Sequence, residues 1–295
     1  MSNMINQARV GYMYMVLSAF SFCMMTVFVK IAGKELATIQ IVFIRGILTF
    51  IFTYFILRNY KISIWGKDKS LLSLRGVVGT IALFFVYESL RRLSIAEATV
   101  IQYLYPIFTA GFAAIILKER VGKKIYYAIF LGLIGVYVLL DFPFININTS
   151  INIDNIVIAI LGAIFTGLSY VLVRMASNKN ESPYVIMFYF PVFTILMSLP
   201  IVFQYWVSPS IYCWFILVFA GICTQFGQLW LTFGYRLLPA SKAAPISYVQ
   251  VPFAAIVSVL LFNEALTYNL ILGPIIIYYG IYTIVRTNDQ RQAIF

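Results

Sequence analysis

YESLRRLSIAEATVIQYLYP, residues 87–106, and TFGYRLLPASKAAPISYVQVP, residues 232–252, stand in one register. A shift of 145 sets Arg91 on Arg236, Leu93 on Leu238, Ala98 on Ala243, Ile101 on Ile246 and Tyr103 on Tyr248. Followed outward, the same shift sets Thr49 on Thr194, Gly76 on Gly221, Glu119 on Glu264, Gly135 on Gly280 and Tyr137 on Tyr282. Shifts of 144 and 146 add Lys30 on Arg174 and Pro106 on Pro252. Apolar matches alone would carry little, because two greasy stretches always share Leu and Ile. The Gly, Arg, Tyr and Glu matches carry more, since they fall at equivalent points of their runs. The chain therefore divides into two copies of one unit, residues 1–145 and 146–295.

Composition says what kind of unit this is. Of the 295 residues, 62% are hydrophobic and 11% charged, with mean hydropathy +0.93. A soluble domain is nearer half apolar and a quarter charged. Water cannot solvate so little polar surface, so lipid is the expected solvent and membrane lipid an expected partner. The net charge of +11 does not point to nucleic acid. Lys and Arg sit in short clusters between apolar runs, as in the cytoplasmic loops of membrane proteins. The chain has no His, which removes the usual neutral-pH proton shuttle and the commonest metal ligand. Cys23, Cys213 and Cys223 lack metal-ligand spacing and read as small apolar residues.

A helix needs about 20 apolar residues to cross the hydrocarbon core, and the runs here are long and continuous, without the alternation of a barrel. Ten spans are expected, near 10–30, 38–57, 72–91, 96–117, 124–141, 155–175, 184–204, 212–235, 242–262 and 268–286. The run after Arg9 continues to Lys30 and reads as the first span, not as a cleaved signal peptide. If the N-terminus and every second loop share one side, that side holds 16 of the 21 Lys and Arg; the other holds Lys30, Lys34, Arg91 and Arg92. This bias places both termini in the cytoplasm. Each copy holds five spans, an odd number, so the second copy enters the membrane from the opposite side. The expected fold is all-α and integral to the membrane, two inverted five-helix repeats. Such repeats recur in secondary transporters, with the site near the midplane between them.

The sequence resembles the drug/metabolite transporter superfamily, in its ten-helix EamA-type branch, over nearly its whole length. The carrying stretches are Phe43-Ile44-Arg45, Leu74-Arg75-Gly76, the run Tyr87 to Ala96 leading to Tyr103-Leu104-Tyr105-Pro106, and Glu119-Arg120. The second copy echoes them in Gly234 to Ala240, Pro245, Tyr248, Pro252 and Asn263-Glu264. Around Phe188, Ser198-Leu199-Pro200 and Gln204-Tyr205-Trp206 the chain is similar to S-adenosylmethionine uptake carriers of that family. The resemblance implies a carrier of small organic solutes in the bacterial inner (plasma) membrane, without fixing solute or direction. Four-helix multidrug members of the superfamily use a Glu in their first helix; residues 10–29 here hold no carboxylate, so that mechanism does not carry over.

Ionisable groups inside spans are few, and their cost in lipid makes each a candidate. Glu88 reads either as a cation or proton site or as a local ion pair with Arg91 or Arg92 on its own helix face. Arg45 reads either as a clamp for a substrate carboxylate or as a snorkelling, helix-capping residue. Arg75, near the cytoplasmic end of its span, reads as structural or as an orientation signal. The fourth and ninth spans carry Gln102, Tyr103 and Tyr105 against Ser247, Tyr248 and Gln250, each group followed by a proline that frees a carbonyl and bends the helix. These, with Gln225, Gln228 and Trp230 of the eighth span, are the expected lining of a solute cavity; helix packing is the alternative. No phosphate loop, catalytic serine motif or Cys/His cluster is present, so no enzyme, cofactor or metal is expected. The expected function is alternating-access transport of an amino acid or S-adenosylmethionine-like metabolite. A multidrug exporter is the alternative, with a channel or an intramembrane enzyme more remote. Two copies in one chain make a monomer sufficient, or at most a weak homodimer.

Overall fold

The computed structural model describes residues 2–93, 95–142, 153–262 and 267–292, and all regular structure among them is helical. The helices are α1 (Ser2–Ala32), α2 (Thr38–Asn59), α3 (Lys69–Arg92), α4 (Ile95–Gln102), α5 (Tyr105–Ile116) and α6 (Lys123–Leu139). They continue as α7 (Ile153–Asn178), α8 (Pro183–Val202), α9 (Ile211–Leu237), α10 (Ala240–Ile246), α11 (Gln250–Phe262) and α12 (Tyr268–Gln292). A single 3₁₀ turn, Ser247–Val249, joins α10 to α11.

Among the described residues, eight segments are long and apolar enough to cross a membrane, one of them Glu97–Ile116, which runs through α4 and α5. The 17 residues of α6 and the broken α10–α11 stretch fall short of that length. Large apolar side chains such as Phe55, Ile115, Phe130 and Tyr278 are exposed around the molecule. In water such a surface would aggregate; against lipid tails it is the expected exterior. Trp65 and Trp206 are half-exposed or more near helix ends, where the interfacial belt puts them. Lys69 lies 5.2 Å from the Trp65 ring.

Packing follows the repeat. The principal contacts join the first half to the second: α1 with α9, α3 with α7, α2 with α8, α6 with α12 and α5 with α10. Under the shift of 145, α1 with α9 becomes α7 with α3, and the pairs α2 with α8 and α6 with α12 map onto themselves. Close approach uses glycine. A Cβ on Gly135 would stand 2.7 Å from the Gly273 carbonyl, and one on Gly273 would stand 2.7 Å from the Gly135 carbonyl.

Three carboxylates hold helix starts across the halves. Glu35, in the α1–α2 turn, accepts the Ser210 amide and, at 2.8 Å, the Ser210 hydroxyl, where Ser210 caps α9. Glu181, its counterpart 146 residues on, accepts the Lys67 and Asp68 amides at 2.7 and 2.6 Å, where Asp68 caps α3. Glu119 accepts the Ala240 and Ser241 amides at 2.9 and 3.0 Å, at the start of α10. Helix N-termini present unpaired N–H groups and a positive dipole end, so a carboxylate suits each. The Ser210 amide and hydroxyl hold the Glu35 carboxyl below the usual carboxylate range. The Lys179 ammonium, 2.6 Å away, and the Leu71 amide do the same for Asp68. Glu264, the repeat mate of Glu119, lies outside the described residues.

Candidate functional site

Both broken helices turn at the same place. α4 ends at Gln102 and α5 starts at Tyr105; α10 ends at Ile246 and α11 starts at Gln250. Pro106 and Pro252 sit in the first turns of α5 and α11, where a missing N–H costs nothing. The breaks meet through the repeat mates Tyr103 and Tyr248. Their rings stack with centroids 5.5 Å apart, and the Tyr248 hydroxyl donates to the Tyr103 carbonyl at 2.9 Å. That carbonyl is one the helix break leaves without its usual helical partner. Gly132 makes room for the Tyr248 ring, since a Cβ there would stand 2.4 Å from it.

From this pair a row of tyrosines runs inward. Tyr103 is 6.2 Å from Tyr105, Tyr105 is 5.3 Å from Tyr170, and Tyr170 is 5.3 Å from Tyr235, all between ring centroids. The last three rings line a cavity with Met15, Ser18, Ala19 and Phe22 of α1, Leu231 of α9, Ser247 and Gln250. The Tyr105 hydroxyl pairs with the Ser247 hydroxyl, which donates to the Ala244 carbonyl at 2.5 Å. Ser18 donates to the Gly227 carbonyl at 2.8 Å. The Tyr235 hydroxyl is buried with no hydrogen-bond partner among the described residues. Its backbone carbonyl accepts from Arg174 at 3.0 Å, as does that of Arg236 at 2.7 Å. The cavity's volume, about 20 Å³, holds one or two waters. A solute of amino-acid size enters only after the helices around it move. The lining is neutral, rich in hydroxyls and aromatic faces: it can hydrogen-bond a polar solute and stack on an apolar one.

The structure thus brings Tyr105, Ser247 and Gln250 to the cavity and places Tyr103 and Tyr248 directly behind. The other residues singled out from the sequence have partners elsewhere. Gln102 donates to the Thr166 hydroxyl at 3.1 Å. Gln225 and Thr53 bond side chain to side chain at 3.0–3.1 Å, bridging α9 and α2. Trp230 stacks on Phe226 at 5.3 Å, and the backbone carbonyl of Gln228 accepts the Thr232 hydroxyl one turn on at 2.7 Å. Arg45 is 6% exposed, with Nη1 2.9 Å from the Met25 sulfur. Glu88 takes the local alternative: Arg91 and Arg92 reach it at 2.6 and 2.7 Å.

Tyr170, Tyr235 and Ser18 were not anticipated. Each is a hydroxyl in a largely apolar span, and that was the available signal. Tyr235 even lies in the quoted repeat, but its repeat mate is Leu90 and Tyr170's is Met25, so matching the copies passed over both.

The chain is similar over nearly its full length to transporters of several organisms. It is 26% identical over 278 residues to the pseudopaline exporter CntI of Pseudomonas aeruginosa, covering 94% of this chain and 96% of that one. It is 26% identical over 276 residues to the S-adenosylmethionine uptake transporter of Rickettsia prowazekii, covering 90% and 89%. Human solute carrier family 35 member G1 is 27% identical over 273 residues, covering 88% and 74%. A solved crystal structure shares the fold, with TM-score 0.82 at 16% identity and 98% of each chain covered. The EamA-like transporter family matches residues 9–141 and again residues 155–286. With both halves matched, this multi-pass membrane protein belongs to the EamA-like transporter family and is a transporter, not an enzyme.

Proposed function

We propose that the chain is a secondary carrier that moves a small polar organic metabolite across the bacterial inner membrane by alternating access. The observation that carries this is the paired helix break: two half-helix junctions, repeat mates in sequence, meet at one neutral cavity between the halves. Discontinuous helices at a repeat interface are how many carriers build a midplane site. The reading takes α4–α5 and α10–α11 as single broken spans and α6 as a short one, which makes ten spans in two inverted units, residues 1–145 and 146–295. Both termini are then cytoplasmic. Glu119 and Glu181 lie on the cytoplasmic side and Glu35 on the outer side, so helix starts are clasped across the halves at both faces. Alternately releasing these clasps exposes the cavity to one side and then the other. One chain contains the whole device, so a monomer suffices.

Tyr105, Tyr170, Tyr235, Ser247 and Gln250 form the solute site, with Tyr103 and Tyr248 as its floor. Hydroxyls and aromatic faces suit an amino acid or an S-adenosylmethionine-like solute, and the Rickettsia relative supports that class. The Pseudomonas relative supports export as the second reading of direction. A toxic cation finds no acidic side chain among the cavity's lining residues. Uptake of labelled S-adenosylmethionine and of amino acids into proteoliposomes tests the proposal. Saturable uptake of one compound, faster with unlabelled compound inside, is expected. Flux that rises linearly with concentration for every compound contradicts a carrier.

A further inference from the structure

Arg75 of α3 is 2% exposed, and neither Nε nor Nη1 has a hydrogen-bond partner among the described residues. Its guanidinium carbon lies over the ring of Phe190 of α8, 4.6 Å from the centroid. Gly79, one turn on, gives it room: a Cβ there would stand 2.4 Å from Nη1. A buried charge is held at considerable cost unless something completes it. Contact with a ring face leaves the unpartnered donors Nε and Nη1 available to a ligand. The same Cβ on Gly79 would stand 3.1 Å from the Ser169 hydroxyl, so Nη1 lies beside α7 next to Tyr170, whose ring lines the cavity. Another unpartnered donor of this region, the Tyr235 hydroxyl, belongs to the ring beside Tyr170. None of the cavity's lining residues is acidic, so the site holds no anion of its own to neutralise Arg75.

We propose that Arg75 is a specificity-determining residue of the transport site, and that the carried solute bears an oxyanion group, carboxylate or phosphate, which pairs with Arg75 once Tyr170 swings aside. The proposal rests on the cavity being the solute site. It assigns that site's charge preference: the aromatic row takes the body of the solute, and Arg75 with the Tyr235 hydroxyl takes its anionic end. Arginine suits this role because planar N–H donors match both kinds of oxyanion. An empty carrier holds the charge uncompensated, which favours the loaded state when the site closes.

The test is thermal unfolding of the purified full-length protein in detergent micelles, titrated with matched ligand pairs. Amino acids are compared with their carboxamides, and sugar phosphates with their parent sugars. A saturable rise of the midpoint with the acids and not the amides identifies a carboxylate; the same with the phosphates and not the sugars identifies a phosphate. R75M is expected to raise the midpoint of the ligand-free protein, because an unpaired buried charge is replaced by an apolar chain. It is expected to weaken binding of the oxyanion by roughly tenfold to hundredfold, the range for losing a bond to a charged group. R75K keeps the charge and loses the planar donors, and should fall between. Three results overturn the proposal: no response to any acid or phosphate, equal response to a solute and its neutral partner, or an R75M protein that is less stable and binds normally. Labelled flux separates the two claims. Saturable transport of a neutral solute with inert acids leaves the carrier standing and removes Arg75 from its site.

Discussion

The Glu181 clasp gives a quantitative prediction. Two backbone amides, Lys67 and Asp68, donate to one oxygen of this carboxylate at 2.7 and 2.6 Å, and Glu181 is 2% exposed. Glu181→Gln keeps an acceptor oxygen in place and removes the charge. A hydrogen bond to a charged group contributes about 1.5–3 kcal/mol and a neutral one about 0.5–1.5, so each bond weakens by about 1 kcal/mol. Two bonds give about 2 kcal/mol, or roughly a 30-fold larger population with the start of α3 released. Hydrogen–deuterium exchange of the purified protein reads this directly. In E181Q the Lys67 and Asp68 amides should exchange up to roughly 30-fold faster, without acceleration at the Ser210 amide, because opening one face closes the other. E35Q should do the reverse, with faster exchange at Ser210 and none gained at Lys67 and Asp68. Unchanged exchange at Lys67 and Asp68 in E181Q would refute the clasp. Equal acceleration at both ends in either variant would refute the opposed coupling of the two faces.

Other substitutions test the site and its frame. Gly132→Ala drives a Cβ into the Tyr248 ring, which is fully buried and tied to Tyr103, so it should cost about 1–3 kcal/mol in detergent unfolding. Gly111→Ala in α5 meets nothing within 4 Å and should be stabilising by about 0.5–1 kcal/mol, since only the cost of a helical glycine is removed. Tyr235→Phe deletes a buried, unpartnered hydroxyl; its thermal midpoint should rise while the KM for transport also rises. Asp68 and Glu35 both have depressed folded-state values. Their stabilisation is therefore full above the unfolded carboxylate range and is lost as pH falls through about 4 and below. The midpoint should be level from neutral pH down to about pH 5 and then fall. D68N should flatten part of that acid-side fall.

Much of this was readable from the chain. Long apolar runs fix where helices lie, because lipid permits nothing else across its core. The repeat showed as pairs of residues that lipid does not demand, such as Arg91 with Arg236 and Tyr103 with Tyr248. The prolines at 106 and 252 marked the breaks, but not the 3₁₀ turn at Ser247–Val249. Among its lining residues, the cavity was legible at Tyr105, Ser247 and Gln250. Which way a side chain points depends on the rotation of its helix, and in lipid the usual polar-face signal is missing. Gln102, Gln225 and Gln228 looked alike in sequence, yet Gln102 and Gln225 are each used up by a threonine on another helix. Arg75 seemed a boundary charge because it lies six residues into α3; only its burial against Phe190 and the approach of Gly79 and Ser169 show that it is enclosed.

The most direct test of alternating access is two-sided labelling of a single cysteine in the cavity. With Cys23, Cys213 and Cys223 replaced, Gln250→Cys supplies the reporter, and a membrane-impermeant thiol reagent is applied to each side of oriented vesicles. A carrier is labelled from both sides, and a solute that it transports slows labelling from both. Labelling from one side only, or from both sides at rates no solute changes, would contradict alternating access at this cavity.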